Sequence, residues 1–265
     1  MATEYSIDVE ATIQFTDPND LAKTLRIFFN NATDRDSLSD HTVLITGFPI
    51  ESFTIDDDEP SPIPQTRKAL YLEDSSILVL TMPGRPHEAV ARLFSGQLDI
   101  KLANMNCQDD IIPGGGVTTS IGQIQKEPDS SWGPLGADYL TCVLESGVSE
   151  SRRALARDAK IWLEHYDSHT TQVVTVWICR RRPDIVFTVW KRAQDHPPRA
   201  VVDQEVHIKL EEGRPMADGQ LRLSFEKFFE RRPRPGTAEG DFVFSARELG
   251  RVARMVWIQM GFTVQ

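Results

Sequence analysis

The sequence predicts an α/β protein: a central mixed β-sheet flanked by helices, with an N-terminal α+β extension. Three observations carry this reading. Segments 139–146 and 173–179 carry apolar residues on both faces, the pattern of strands covered on both sides. Between them, Leu155, Ala159, Trp162 and Leu163 recur at helical spacing. The chain has 265 residues, is 40% hydrophobic and 26% charged, and is therefore near the globular norm and long enough to bury a large core.

Taken in order, residues 7–15 alternate as a strand. Asp17-Pro18 then supplies an N-cap followed by proline at the first helical position. The helix runs to about residue 30, with Leu21, Leu25 and Phe28 on one face. Residues 42–47 form a short apolar strand. Residues 51–67 are acidic and proline-rich (Asp56, Asp57 and Asp58; Pro60, Pro62 and Pro64), which marks a loop. This is the best boundary. Residues 1–67 read as an extension packed on the core, since roughly sixty residues is marginal for independent folding. Residues 68–265 read as the main domain.

Segments 69–72 and 77–82 pair as a hairpin through Glu73-Asp74-Ser75-Ser76. Residues 86–104 form a helix whose apolar side carries Ala89, Leu93, Phe94, Leu98 and Ile100. Gly114-Gly115-Gly116 lacks the lysine and following helix of a phosphate-binding loop and reads as a flexible connection. Segment 121–129 is a strand and 139–146 a second. Ser149 caps a helix over 150–166. Strands 173–179 and 184–191 form a hairpin through Arg180-Arg181-Arg182-Pro183. Segments 205–210 and 220–225 are further strands. Ser245 and Glu248 make a capping box ahead of Leu249, Val252, Val256 and Met260.

Several function classes recede. No run approaches the ~20 apolar residues of a membrane span. The N-terminus shows no secretory signal, so the expected location is intracellular, in cytoplasm or nucleus. Cys107, Cys142 and Cys179 are far apart and read as buried free thiols, not a zinc site or disulfide frame. A net charge of -10 argues against coating nucleic acid by bulk attraction. Arg152, Arg153, Arg157, Lys160 and Arg180 to Arg182 nevertheless cluster in the second half. Such runs are ordinarily solvated faces, and phosphate contact requires that they converge on one groove.

The chemistry-bearing segment is Lys126-Glu127-Pro128-Asp129, then the apolar strand containing Glu145, then the helix containing Asp158. Hydrolysis of a phosphodiester with magnesium needs carboxylates to hold the ion, a bound water of lowered pKa, and positive charge near the developing oxyanion. Asp129 and Glu145 on adjacent strands, about 5 Å apart, suffice as a scaffold. Acids at strand ends are also common as solvated or salt-bridged pairs.

The order Pro128-Asp129, Glu145, Ser149, Asp158 and Trp162, followed by an apolar strand, resembles the PD-(D/E)XK nuclease-like superfamily. It is similar above all to the bacterial Uma-type endonuclease family and to fungal restriction-endonuclease-like proteins. Met82 through Glu88, with Pro86-His87-Glu88 opening a helix, and the tail from Leu221 through Leu249 also match that pattern. The likeness spans roughly residues 69–260. It implies a restriction-endonuclease-like core and a Mg²⁺ (or Mn²⁺) site at Asp129 and Glu145, with Glu88 as an accessory metal ligand. It implies cleavage of DNA in preference to RNA, and leaves a homodimer open. Arg152, Arg153, Arg157 and Arg181 become the candidate phosphate contacts.

One departure matters. The superfamily carries a lysine two residues after the strand glutamate, and this chain has Gly147 there. Lys126 and Lys160 are the candidate substitutes. In a regular strand Lys126 and Asp129 face opposite sides, unless a break at Pro128 changes this. Lys160 lies about 140° around the helix from Leu155, near the edge of the buried stripe. Lys126 is preferred. His87 and Glu88 otherwise read as an ordinary first turn, Asp158 as a structural salt bridge, and Trp162, Trp177 and Trp190 as core. Two functions follow: a Mg²⁺-dependent nuclease, or a catalytically inactive member of the fold acting as a binding or regulatory module. The missing lysine and the acidic balance motivate the second.

Overall fold

The computed structural model describes residues 9–53, 63–64, 68–149, 152–193 and 196–265. The acidic triplet Asp56 to Asp58 and residues Glu150 and Ser151 lie outside these. In chain order the elements are β1 (Ala11–Gln14), α1 (Pro18–Arg35), β2 (His41–Thr46), β3 (Lys68–Leu72), β4 (Ile77–Met82), α2 (Arg85–Asn104), β5 (Ile111–Pro113), β6 (Thr119–Ile121), β7 (Ile124–Lys126), β8 (Ser130–Pro134) and β9 (Cys142–Ser149). They continue as α3 (Arg153–Glu164), β10 (Gln172–Cys179), β11 (Asp184–Ala193), β12 (Arg199–Glu211), β13 (Arg214–Ala217), β14 (Leu221–Leu223), α4 (Phe225–Phe229), β15 (Phe242–Phe244) and α5 (Ala246–Gln259). The protein is a mixed α/β structure with two large mixed sheets.

The first sheet has the order β1-β2-β4-β3-β7-β6 and the second β13-β12-β11-β10-β9-β8-β5; β14 and β15 pair separately. In the second sheet β9 lies parallel to β10 and antiparallel to β8. Side chains alternate across β9. Cys142, Leu144 and Val148 join the large core beneath α2 and α5, with Phe94, Leu98, Val252 and Trp257. Val143 faces the other way, into a core with Ala159 and Trp162 of α3 and with Leu70, Val79 and Ile124 of the first sheet. Glu145 shares the parity of Val143. It therefore points into the seam where α3, the first sheet and the second sheet meet. Residues before and after position 67 share the first sheet, because β2 pairs with β4.

Local chemistry explains the helix ends. Asp17 Oδ1 accepts hydrogen bonds from the backbone N–H groups of Asn19 and Asp20, both 3.0 Å, and Pro18 opens α1. Leu21, Leu25, Phe29 and Ala32 make its buried stripe, so the helix runs one turn beyond the expected end and buries Phe29, not Phe28. The Ser245–Glu248 capping box of α5 is formed, with Glu248 N–H donating to Ser245 Oγ at 3.3 Å and Ser245 N–H donating to Glu248 Oε2 at 2.7 Å.

Four expected elements differ. The strand expected over 121–129 is broken into the end of β6, a turn and β7, and residues 127–129 lie in no strand before β8 begins. Gly122, at φ +59°, supports the turn between β6 and β7. Pro128 has no N–H for a ladder, and here the chain passes from the first sheet to the second. The strand expected over 139–146 lies three residues later. Ser149 ends that strand and does not cap α3, which begins at Arg153 without a side-chain cap. The ladder wins over the cap because Ser149 pairs with Cys179 and its carbonyl accepts the Trp177 indole N–H at 3.0 Å. Segment 220–225 is a three-residue strand followed by α4, whose first turn is capped by Ser224. The three cysteines are free and buried, in line with the sequence reading.

Candidate functional site

The crossover at Pro128 places Asp129 beside β9. Asp129 N–H donates to the Leu144 carbonyl at 3.0 Å, and Ser130 pairs with Leu144. The carboxylate of Asp129 then accepts the Ser146 N–H at 2.5 Å and the Ser146 hydroxyl at 2.8 Å, both on Oδ2. Its other oxygen, Oδ1, lies 2.9 Å from His87 Nε2 and 2.8 Å from Lys68 Nζ. Lys68 also contacts Glu145 Oε2. Glu145 Oε1 accepts the Trp162 indole N–H at 2.6 Å and lies 3.2 Å from Lys126 Nζ. Lys126 in turn donates to Asp158 Oδ1 at 3.1 Å, and Arg157 stands 3.6 Å from the same oxygen. At the opposite end His87 Nδ1 lies 3.0 Å from Asp40 Oδ2. Asp40 is itself held by the N–H groups of Gly84 and Val148, each 2.8 Å away.

The result is a chain of alternating charge: Asp40, His87, Asp129, Lys68, Glu145, Lys126, Asp158, Arg157. Four carboxylates alternate with four cationic side chains once His87 is protonated. Burial alone would favour the neutral imidazole, but the charges of Asp129 and Asp40 outweigh it and raise the His87 pKa to about 10. Burial likewise opposes the charged form of Lys68, yet Asp129, Glu145 and Asp158 hold its pKa well above the usual lysine range. The same balance works in reverse for Asp129. Burial pushes its pKa up, and the His87 and Lys68 charges push it further down, far below the usual carboxylate range. Asp158 is lowered despite its burial, chiefly by Lys126 and Arg157. Glu145 is fully buried and Lys126 nearly so, at 0% and 4% side-chain exposure.

The cluster borders a cavity of about 630 Å³, lined in part by Lys68, His87, Lys126, Gly147, Arg157 and Asp158. Asp129 and Glu145 are not in its wall and are reached through Lys68.

Of the sequence candidates, Asp129, Glu145 and Lys126 converge on one point. Lys126 reaches it because β7 ends there and the strand geometry that would have opposed it to Asp129 is interrupted. Asp158 forms the salt bridge foreseen for it. Trp162 is buried core and also hydrogen-bonds to Glu145. Lys160 is exposed and lines a separate cleft with Arg153, Arg157 and His165. Glu88 faces solvent, paired with Arg92 at 3.2 Å. Arg152 pairs with Glu205 at 2.7 Å over the Trp177 ring. Arg153 and Arg181 are exposed, so Arg157 is the one candidate phosphate contact that borders the cavity.

Sequence reasoning missed Lys68 and Asp40. Each sits at or just before the start of a short strand with nothing in its spacing to mark it. A Cβ at Gly147 would stand 3.6 Å from Leu155 and 3.7 Å from Asp40 Oδ2, so this position faces the same seam but supplies no charge.

The donor set fits a small hard divalent cation. Such an ion takes oxygen ligands and needs only one or two carboxylates. Asp129 Oδ1 and Glu145 Oε2 each contact a single ammonium, so they are at most about 6 Å apart. That ammonium marks a point where cationic charge serves both acids. Elsewhere among the described residues, Cys107, Asp110 and Glu239 bring metal-type atoms within 4.8 Å of one another, but both carboxylates are engaged by Arg231 and Arg234.

No family model matches the chain, and no curated protein matches it. Among solved structures it is similar to a "putative nuclease belonging to DUF820" from Anabaena variabilis, with 14% sequence identity and a TM-score of 0.43. That likeness covers 77% of this chain and 97% of the other. No helix among the described residues is long and apolar enough to cross a membrane.

Proposed function

We propose that the chain is a metal-dependent nuclease that hydrolyses phosphodiester bonds of DNA, with RNA as a further substrate, at the Asp129–Glu145 pair. The single observation that carries this reading is the convergence of two buried carboxylates and two lysine ammoniums beside one cavity. Asp129 and Glu145 would hold Mg²⁺ or Mn²⁺. When bound, such an ion supplies a nucleophilic water of lowered pKa and polarises the phosphoryl oxygens. Ser146 and Trp162 orient the two carboxylates through the hydrogen bonds given above. Lys126 takes the part of the lysine absent at Gly147, holding positive charge beside Glu145 and on the cavity wall where the phosphoryl oxyanion would develop. Arg157, on the cavity wall, meets the phosphate backbone. His87, clamped between Asp40 and Asp129, fixes the Asp129 rotamer.

The test is incubation of the purified chain with single- and double-stranded DNA and RNA, with Mg²⁺ or Mn²⁺. Cleavage is expected, and Asp129→Ala and Glu145→Ala are each expected to reduce it by at least about 10²-fold. Cleavage that persists in Asp129→Ala would remove the assignment of this site. A second reading is an inactive binding or regulatory module. The alternating chain favours it, because four carboxylates and four cations already balance. Absence of cleavage on every substrate, together with absence of Mn²⁺ binding by calorimetry, would establish it over the first.

A further inference from the structure

Lys68 stands between the two acids. Its ammonium lies 2.8 Å from Asp129 Oδ1 and contacts Glu145 Oε2. The outer oxygens are engaged elsewhere, Asp129 Oδ2 by Ser146 and Glu145 Oε1 by Trp162 and Lys126. The position that serves both carboxylates at once is therefore the one this ammonium holds. Two cations repel strongly at such a distance in a poorly solvated site. Lys68 is also the member best placed to leave. Its side chain is 14% exposed, against 0% for Glu145 and 6% for Asp129, and it lines the cavity on a flexible four-carbon stem.

We infer that Lys68 is a resident counter-cation that a divalent metal must displace, and that the displaced ammonium turns into the cavity to meet a substrate phosphate. Lys68 thus couples metal binding to phosphate binding. This rests on the nuclease reading above. The charge count gives the direction of coupling. The eight-group chain is neutral with Lys68 in place. A divalent ion added at the acids, with the ammonium moved only a few ångströms, leaves an excess of two positive charges, half of which an entering phosphodiester offsets. Metal binding without a phosphate is weak, and each ligand strengthens the other by the same factor.

The test is calorimetric titration of the full chain with Mn²⁺, alone and with a single-stranded phosphorothioate oligodeoxynucleotide, in the wild type, Lys68→Met and Lys68→Arg. Lys68→Met is expected to bind Mn²⁺ at least tenfold more tightly than the wild type when no oligonucleotide is present. Lys68→Arg is expected to keep the weak wild-type affinity. The oligonucleotide tightens Mn²⁺ binding to the wild type and not to Lys68→Met. Thermal melting separates this from a purely structural ion pair. Lys68→Met melts lower than the wild type in EDTA and regains the loss with Mn²⁺, whereas a structural role alone gives a loss that Mn²⁺ does not repair. Adding Glu145→Ala to Lys68→Met removes the tight binding. Equal Mn²⁺ affinity in the wild type and Lys68→Met overturns this inference and leaves the metal-site reading standing. A Met variant that refolds neither with Mn²⁺ nor in EDTA overturns it as well. Absence of Mn²⁺ binding in every form overturns both.

Discussion

Replacing Lys126 by methionine removes one charge from the middle of the buried chain while keeping much of its apolar stem. Its ammonium lies 3.2 Å from Glu145 Oε1 and 3.1 Å from Asp158 Oδ1. At an effective dielectric constant near 20, each contact amounts to roughly 5 kcal/mol of attraction, most of it offset by desolvation. Once the lysine is gone, four carboxylates share three cations. Removing one partner of a buried pair typically destabilises by about 3–5 kcal/mol, because the remaining charge is left uncompensated. Lys126→Met is therefore expected to lose about that much. The double variant Lys126→Met/Asp158→Asn leaves three carboxylates with three cations and is expected to recover part of it, with a coupling of at least about 1 kcal/mol. Urea unfolding in EDTA, followed by tryptophan fluorescence, reads both quantities; Trp162, one of five tryptophans, has its ring centre 6.0 Å from the lysine nitrogen. A loss below about 1 kcal/mol for the single variant, or simple additivity in the double, would refute the account of this network.

Three further outcomes follow from the same geometry. His87 has a folded pKa raised to about 10 from an ordinary 6.5, so its contribution is fully present below about pH 6.5 and fades as pH rises toward 10. Stability is expected to fall by about 3–5 kcal/mol across that window, and His87→Gln should remove the part of the slope below about pH 8; above that the buried Cys142 thiol, whose pKa burial pushes up, keeps a slope in both proteins; denaturant midpoints measured between pH 6 and 10 check it. Ser245→Ala removes the hydroxyl half of the α5 capping box and is expected to lower stability by about 1 kcal/mol in chemical denaturation, with Ser245→Asp retaining most of it. Gly147→Ala places its Cβ in ordinary contact with Leu155 and Asp40, and its unfolding free energy in urea should stay within about 0.5 kcal/mol of the wild type.

By itself the sequence determined the mixed α/β class of the fold and pointed to Asp129 and Glu145 as a pair of acids. The apolar runs around Val143 and Val176, the helical stripe Leu155–Ala159–Trp162, and the caps at Asp17 and Ser245 are local signals, set by side-chain periodicity and by hydrogen bonds spanning three or four residues. Asp129 and Glu145 were legible because one precedes β8 and the other lies in β9, strands that neighbour one another in the chain. The cations were legible only in part. Lys126 counts because the chain breaks at Pro128 and moves between sheets, which reverses the face that regular strand geometry assigns. Lys68 and Asp40 come from strands of the first sheet 77 and 108 positions away from their partners Glu145 and Val148. Nothing in their own neighbourhoods announces a partner at that distance. Only tertiary structure decides which distant charges meet, because a buried carboxylate must find a cation wherever the packed sheets bring one within about 3 Å, and that encounter is a property of the assembled core.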